Sequence, residues 1–306
     1  MSEMKVVPGI EITPALMVLS NLPDADHPAY EPAKAYKVGD KVTIDRINYE
    51  ALLDHTNRNP VSDTVSPPAW LNLGWVNKYR MFNKNIGNTW KIGTFTSNPE
   101  LIDFTIRPGK RVNSIGLVGV TAATVRIVMT VPGIADPVYD KAFSMSLKAG
   151  GSWYQYYFGQ FTTKDNLADF ELPPFNNADI RVIVSAPGGT AKVGMMVIGW
   201  GKGIGTAVYG TSLGRKNYST IKEEFDGSIT ITRRGKRRLI DFQVVLQDDQ
   251  ISSVQRTLDD AGDAPALYVG SSKLEYTAIV GIFDDFDTGL PTYGRGEYTL
   301  RVRSIT

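Results

Sequence analysis

Short apolar stretches alternate with turn-forming residue pairs through the middle of the chain. Residues 115–120 and 125–131 are rich in Val and Ile, as strands commonly are. Pro108-Gly109 and Pro132-Gly133 are strong turn signals beside them. No apolar residues recur at helical spacing in this region. The pattern predicts a central antiparallel β-sandwich of jelly-roll kind, which we assign to residues 78–202.

The last part of the chain, residues 203–306, changes character. Ile251, Val254 and Leu258 are spaced as one face of a helix. Aspartates before this face are candidate N-caps, and Gly262 is a natural end. Strands are predicted on both sides of the helix, at 229–234, 239–246, 266–269, 276–283 and 297–302. This order predicts a C-terminal α+β domain with one helix on an antiparallel sheet.

The first 28 residues are expected to form an arm rather than a domain. Thr13-Pro14 could begin a short helix through residues 15–19, because Thr is a good N-cap and Pro a good first residue. The run is too short to exclude an extended strand. The arm either contacts a neighbouring subunit or packs on its own chain.

Composition excludes several classes of protein. The 306 residues suggest two or three domains, and 42% hydrophobic with 21% charged residues is too ordered a mixture for a disordered chain. The net charge of +1 gives no overall attraction for nucleic acid. The absence of Cys excludes thiolate chemistry. No signal-peptide or membrane-span pattern is found, so assembly in a cytoplasm without a membrane span is expected.

Residues 29–77 predict a small β module. Val42 with Ile44, and Tyr49 with Ala51, alternate with polar neighbours as in short half-buried strands. The spacing Tyr36-x-x-Gly39-x-x-Val42, the Tyr49-x-Ala51 strand, an Asn/Pro-containing loop and a closing Trp70 resemble the chitin-binding-like modules of carbohydrate-binding families 5 and 12.

That resemblance implies stacking of aromatic rings on a glycan. The candidate glycan-binding residues are Tyr30, Tyr36, Trp70 and Trp75. The alternative is that these rings form the small core of the module, since so short a segment can bury little else. Glycan binding to a host surface therefore stays open at this point.

Two further clusters are candidate contact surfaces. Residues 153–158 are mostly aromatic, and Trp153, Tyr156 and Tyr157 are predicted to face a protein partner or the core rather than a small ligand. The densest charge run, predicted at a hairpin tip, contains Arg233, Arg234, Lys236, Arg237 and Arg238. Such a run can grip nucleic-acid phosphates or an acidic patch on a neighbouring subunit. Because the whole chain is nearly neutral, protein contact is favoured and nucleic acid is not expected.

The remaining motifs give no specific chemistry. Residues 199–205 contain a Gly-x-Gly spacing without a following helical face, so a flexible interdomain hinge is expected rather than a dinucleotide site. Residues 284–287 are acidic but lack the spacing of a calcium loop, which favours a solvated turn. His27 and His55 belong to no catalytic or metal-binding motif. We therefore predict no catalytic residue, no metal and no cofactor.

The whole chain is similar to tailed-bacteriophage tail-tip or baseplate structural proteins. The residues that carry this resemblance are the module motif at Tyr36, the segment Arg80-Met81-Phe82-Asn83 before Thr89-Trp90, residues 199–205, Tyr218-Ser219-x-x-Lys222, Phe225-Asp226-Gly227 and Arg233-Arg234. The resemblance implies a non-enzymatic virion subunit, located in the tail and bound to other tail or baseplate proteins as a cyclic homo-oligomer. It also implies that the domain at residues 203–306 anchors the chain to the particle. The alternatives are a glycan-binding protein and a polysaccharide-degrading enzyme with paired carboxylates.

Overall fold

The computed structural model describes residues 2–86, 89–90, 93–147, 153, 162–208, 210–223, 225, 227–233, 235–262, 264–271, 275–292 and 295–305. The chain is mainly β, with 54% of residues in strands and 8% helical, as the sequence predicts. The pairings between strands in the sheets are antiparallel. The first eleven strands are β1 (Ser2–Pro8), β2 (Met17–Ser20), β3 (Ala35–Tyr36), β4 (Lys41–Ile44), β5 (Ile47–Ala51), β6 (His55–Thr56), β7 (Trp70–Trp75), β8 (Asn85–Ile86), β9 (Thr89–Trp90), β10 (Thr96–Ile106) and β11 (Ser114–Val118).

The remaining strands complete two larger sheets and several short pairs. They are β12 (Thr124–Thr130), β13 (Tyr139–Ser144), β14 (Ser146–Leu147), β15 (Thr162–Thr163), β16 (Asn166–Asp169), β17 (Asp179–Val193), β18 (Met195–Gly199), β19 (Lys202–Ala207), β20 (Ser212–Asn217), β21 (Thr220–Glu223), β22 (Ile229–Thr232), β23 (Lys236–Gln247), β24 (Ala266–Val269), β25 (Ala278–Thr292) and β26 (Arg295–Ser304). Helical segments are α1 (Ile251–Ala261) and short 3₁₀ turns at Pro14–Leu16, Asn77–Tyr79, Asp248–Gln250 and Glu275–Thr277.

Six strands close into an antiparallel, barrel-like sheet. Their order is β19, β1, β24, β25, β26 and β23, and pairing of β23 with β19 closes the sheet. Alternate side chains of these strands fill the interior, among them Phe242, Tyr268 and Leu300, each fully buried. A closed sheet leaves few unpaired edges, so the interior is held by both backbone pairing and apolar burial.

The predicted helix is present and packs on this sheet. Val254 and Leu258 are buried in the same cluster as the strand side chains, and Ile251 is half-buried beside them. Gly262 ends the helix with a positive φ of 50°, a conformation that suits glycine. The start differs from the prediction. The N-cap is Gln250, which makes no side-chain capping bond. The two aspartates before it, which the sequence predicts as caps, lie in a 3₁₀ turn.

The first strand does not belong to a free arm. β1 lies between β19 and β24 and pairs with both, with Lys5 opposite Gly203 on one side and Val269 on the other. Of the two alternatives for the N-terminal arm, these residues show packing on their own chain, as a strand inside a sheet. The C-terminal unit is therefore not continuous in sequence. Residues 9–201 are inserted between two neighbouring strands of one sheet. The later part of the expected arm forms a 3₁₀ turn and then β2, so both the helical and the extended alternatives are present.

The inserted residues include two sheets that enclose one large apolar cluster. The five-stranded sheet has the order β13, β12, β17, β10, β2, and the three-stranded sheet has the order β16, β11, β18. Phe104 and Ile127 from the first sheet and Ile198 from the second lie in the shared cluster. Because β10 and β17 alternate buried and exposed side chains, the outer face of the larger sheet is polar.

The three-stranded sheet is covered on both faces. One face of this sheet lines the large apolar cluster, and its second face packs against the outside of the barrel. Every residue of β11 and β18, and of the barrel strand β24, is therefore buried. A Cβ on Gly116 would lie 2.2 Å from Cδ2 of Leu267. A Cβ on Gly199 would lie 2.2 Å from the carbonyl oxygen of Pro8. The glycines near residue 200 thus permit close packing, and the prediction of a flexible hinge at residues 199–205 is wrong.

The small module at residues 29–77 has its own core. A three-stranded sheet, β4, β5 and β7, and the short pair of β3 with β6 enclose it. Asp26 joins the module to the two larger sheets. Its carboxylate accepts hydrogen bonds from Asn48 Nδ2 at 2.7 Å, from the Asn77 backbone N–H at 2.9 Å and from Arg80 Nη2 at 2.9 Å. One half-buried carboxylate therefore holds a module strand against the segment that follows the module.

Candidate functional site: an exposed β-arm

The aromatic residues predicted to bind glycan lie mainly inside the module. Tyr36 is 1% exposed and Trp70 is 8% exposed. Tyr30 is half-buried and stacks on Tyr36 with 5.6 Å between ring centroids. Two polar ring atoms are used internally: Trp70 Nε1 donates to the Arg58 carbonyl at 2.8 Å, and the Glu31 N–H donates to the Tyr36 hydroxyl at 2.8 Å. These rings therefore form the module core and leave no open ring face for a sugar, except on the outer part of Tyr30.

Trp75 does not join that cluster. It is half-buried against the apolar cluster of the two larger sheets, and its Nε1 donates to the Asn85 carbonyl at 2.9 Å. Its ring is 6.5 Å from that of Tyr79 in an edge-on arrangement. The four predicted residues are thus divided between two cores. They do not make one flat platform of the kind that binds sugar rings.

His55 is a residue of interest that motif reasoning passed over. Its imidazole packs edge-on to Trp70 at 4.7 Å between centroids and lies 5.6 Å from Tyr36. Neither ring nitrogen has a hydrogen-bond partner among the described residues, and neither is accessible to solvent. Burial lowers the pKa of His55, and the nearby Arg58 guanidinium lowers that pKa further.

The aromatic run at residues 153–158 is largely outside the described residues. Trp153 is described and is 78% exposed. Tyr156 and Tyr157, which the sequence predicts as interface residues, lie outside the described residues.

A long β-arm extends from the barrel and begins with β20. We define the β-arm as residues 212–238, from β20 to the first residues of β23. The pair of β20 and β23 forms its base, and the separate pair of β21 and β22 forms its outer hairpin. Every residue of β20, β21 and β22 is exposed. β20 is also the last strand in its sheet order, so its outer edge has no partner strand among the described residues.

The outer hairpin is amphipathic, and its apolar face is open. Ile221 pairs with Ile231, and Ile229 lies on the same face two residues away, opposite Glu223. These side chains are 65%, 57% and 60% exposed. The opposite face carries the pairs Thr220 with Thr232 and Lys222 with Thr230. Phe225, in the turn, is fully exposed.

The basic run lies along the arm rather than at its tip. Arg233 follows β22, and Lys236, Arg237 and Arg238 begin β23, where they pair with β20. Arg234 lies outside the described residues. The true tip is the turn between β21 and β22. Sequence reasoning identified the run but missed Arg215 and Lys216, which β20 places directly opposite Arg238 and Arg237.

Other predicted motifs have structural roles or carry no visible chemistry. Residues 284–287 lie within β25 and not in a solvated turn, and Asp284 pairs with Arg303. In the part of the chain that is described, no group of acidic or histidine side chains is arranged to hold a metal ion. None of the described helices is long and apolar enough to cross a membrane.

Comparison with known proteins adds no family to this picture. No protein-family model, no curated protein and no solved structure matches the chain. The proposals below therefore depend on the geometry of the chain and on the sequence resemblance stated above.

Proposed function

We propose that this protein is a non-enzymatic structural subunit of a tailed-bacteriophage tail or baseplate. In this proposal it assembles in the host cytoplasm, is located in the virion tail, and forms a cyclic homo-oligomer that also contacts other tail proteins. The observation that carries the proposal is the β-arm, whose outer hairpin exposes an apolar face in the single chain. The sequence resemblance to tail-tip and baseplate proteins supplies the biological setting.

The physical argument starts from the stability of the outer hairpin. A two-stranded hairpin with no third strand is marginal in water. Ile221, Ile229 and Ile231 contribute little while they remain exposed. Complete burial of one such side chain is worth about 1.5–3 kcal/mol. Docking on another subunit would therefore stabilise the arm and the assembly together.

Repetition of one chain fits this geometry. If the arm of each subunit packs on a different surface of the next subunit, the contact is heterologous, and such contacts close into rings when the rotation permits. The free edge of β20 is a second element that a neighbouring strand can extend. A ring built in this way would bury the exposed arm residues in every subunit.

The finer domain assignments belong to the same proposal. We assign the two larger sheets as a β-sandwich of jelly-roll kind, the barrel with its helix as the anchoring unit, and residues 29–77 as a chitin-binding-like module. The alternative function, glycan binding through this module, has less support because Tyr36 and Trp70 are buried. In our proposal the module serves mainly as a compact spacer near a neighbour or the host surface.

The decisive experiment compares the two faces of the outer hairpin. The variant Ile221→Ser/Ile231→Ser removes the apolar face, and Thr220→Ser/Thr232→Ser is the matched control on the opposite face. We expect analytical ultracentrifugation and negative-stain imaging to show rings for the wild type and the control. The isoleucine variant should be monomeric, with a thermal midpoint near that of the wild-type monomer, because these side chains are exposed before assembly.

Two results would contradict the proposal. One is a wild-type protein that remains monomeric at high concentration and does not join isolated tail proteins. The other is an isoleucine variant that forms rings as well as the wild type does.

A further inference from the structure

The base of the β-arm contains a cavity with a strong excess of positive charge. The cavity has a volume of about 260 Å³ and lies between the arm and the end of β11. Its cationic lining residues are Arg215, Lys236, Arg237 and Arg238. Val118 and Gly119 form part of the wall, and Asp165 is the one acidic residue in the lining.

The strand register brings like charges into direct opposition. Arg215 pairs with Arg238, and the next position pairs Lys216 with Arg237. Like charges directly opposite one another destabilise an antiparallel pair. Tyr218 relieves part of this repulsion on one face, since Lys216 Nζ and the Arg237 guanidinium lie 5.5 Å and 5.9 Å from its ring centroid.

Internal carboxylates do little to balance these charges. Asp165 lies 3.9 Å from Arg238, which is a weak, partly exposed contact. Among the described residues, Arg215, Lys236 and Arg237 form no ion pair. The Nε of Arg237 is also buried without an acceptor. A desolvated N–H without an acceptor is costly, and an incoming anion could offset that cost.

Elsewhere in the molecule, four arginines each make two hydrogen bonds to one carboxylate of the same chain. Arg181 makes two hydrogen bonds to Asp103 at 2.9 and 2.6 Å, and Arg107 makes two to Asp179 at 2.6 Å each. Arg126 and Arg301 are bonded in the same forked manner to Asp140 and Asp241. Among the described residues, the arginines at the arm base have no such forked carboxylate partner, so their guanidinium groups are able to bind carboxylates of another molecule.

We propose that the cavity at the arm base binds carboxylate side chains of an acidic segment on a neighbouring protein of the assembly. This inference rests on the proposed function and names the chemistry of the partner. The forked guanidinium groups match carboxylates, and the apolar hairpin beside them suits a protein surface. A nucleic-acid strand fits less well, because the whole chain has a net charge of only +1 and the adjoining hairpin exposes Ile221, Ile229 and Ile231.

The test uses the full-length protein and three anionic probes. Fluorescently labelled oligo-glutamate is titrated into the protein at fixed ionic strength, and unlabelled oligothymidylate of equal charge and inorganic phosphate serve as competitors. Hydrogen exchange of β20 and β23 is measured with and without oligo-glutamate. We expect saturable binding of oligo-glutamate and slower exchange in both strands. Loss of one charged partner should weaken binding about tenfold in Arg215→Gln and in Lys236→Gln.

The matched control is Arg126→Gln, which removes a surface arginine from the distant five-stranded sheet. It should bind oligo-glutamate as the wild type does. The double variant Arg215→Thr/Lys216→Thr adds a second readout. It should protect the arm from exchange in the absence of any anion, because the cross-strand repulsion is gone, and oligo-glutamate should add no further protection.

Each other result overturns the inference. Oligothymidylate that displaces oligo-glutamate at lower concentration would assign the site to nucleic acid. Full competition by millimolar phosphate would assign it to a small anion. Equal binding by the wild type and Arg215→Gln, or no binding at all, would leave the cavity without this role.

If oligo-glutamate fails to bind while the isoleucine variant above still fails to form rings, only this inference is lost. If oligo-glutamate binds but the isoleucine variant forms normal rings, the proposed function is lost instead.

Discussion

At the scale of single residues, His55 is the clearest case of a polar side chain in an apolar setting. It packs against Tyr36 and Trp70, and neither of its nitrogens has a hydrogen-bond partner in the part of the chain that the structure describes. The charged groups that act on it are Arg58, which opposes protonation, and Asp63 and Asp54, which favour it. Burial outweighs these carboxylates, so the folded module holds the imidazole in its neutral form.

The pKa of His55 makes the stability of the module depend on pH. The pKa in the folded state is lower than the ordinary value of about 6.5 for an unfolded chain. The unfolded state therefore binds the proton more tightly. Stability should be fully present above the unfolded pKa and should fall as the pH drops below it. Hydrogen exchange of residues 29–77 from about pH 7.5 to about pH 5, a range that spans the unfolded pKa, measures this loss of stability.

The variant His55→Phe should remove most of this pH dependence, because a phenyl ring fills a similar space and carries no proton. The control is His27→Gln, which leaves His55 in place and should retain the dependence. Equal sensitivity to acid in the wild type and His55→Phe would show that another group controls the module.

At the scale of secondary-structure elements, the three-stranded sheet is the part on which both large cores depend. Its strand β11 is buried on both faces, and Gly116 is one point of close approach to the barrel. A side chain at this position meets Leu267, which is fully buried and has little room to move.

Gly116→Ala should destabilise the protein by about 1–3 kcal/mol through overpacking, as measured by urea unfolding. Gly189→Ala is the control, since a Cβ there meets nothing closer than a carbonyl oxygen at 3.6 Å. The double variant Gly116→Ala/Leu267→Ala should be more stable than the sum of its two single changes predicts. Strict additivity would show that the two residues do not meet.

Much of the element order was predictable because local patterns determine it. The helical face of Val254 and Leu258, the break at Gly262 and the mainly-β composition are all local signals, and the structure confirms them. Pairing partners are not local. Nothing in residues 2–8 indicates that they pair with residues 202–207 and 266–269. The exposed face of Ile221 and Ile231 was likewise invisible, because alternation in a strand does not show whether its apolar side is covered.

At the scale of the whole molecule, the module and the larger sheets are joined through few polar contacts. Asp26 is 15% exposed and receives hydrogen bonds from the module and from the segment after it. By contrast, Glu50 lies within the module, and its ion pair among the described residues is a long, partly exposed one with Lys41 at 3.6 Å. The two carboxylates therefore form a matched pair for an experiment.

Asp26→Asn should lower the free energy of local unfolding of the module by about 2 kcal/mol. One charged acceptor is lost, and the new amide N–H group faces the donors that the carboxylate accepted from. Glu50→Gln should change stability by less than about 0.5 kcal/mol. Hydrogen exchange should speed up in residues 29–77 in the first variant while the barrel strands keep their protection. Uniform loss of protection over the whole chain would mean that the module and the barrel unfold as one unit.

The insertion of residues 9–201 between β1 and β19 also affects the order in which the chain can fold. In an unfolded chain, bringing these two strands together closes a very long loop, at an entropic cost on the order of 5 kcal/mol. Once the inserted sheets have folded, their ends already lie side by side, since Val6 is paired with Lys202. Barrel closure then needs only local contacts. During synthesis, β1 therefore stays unpaired until the ribosome has made the whole insertion and the strands beyond it.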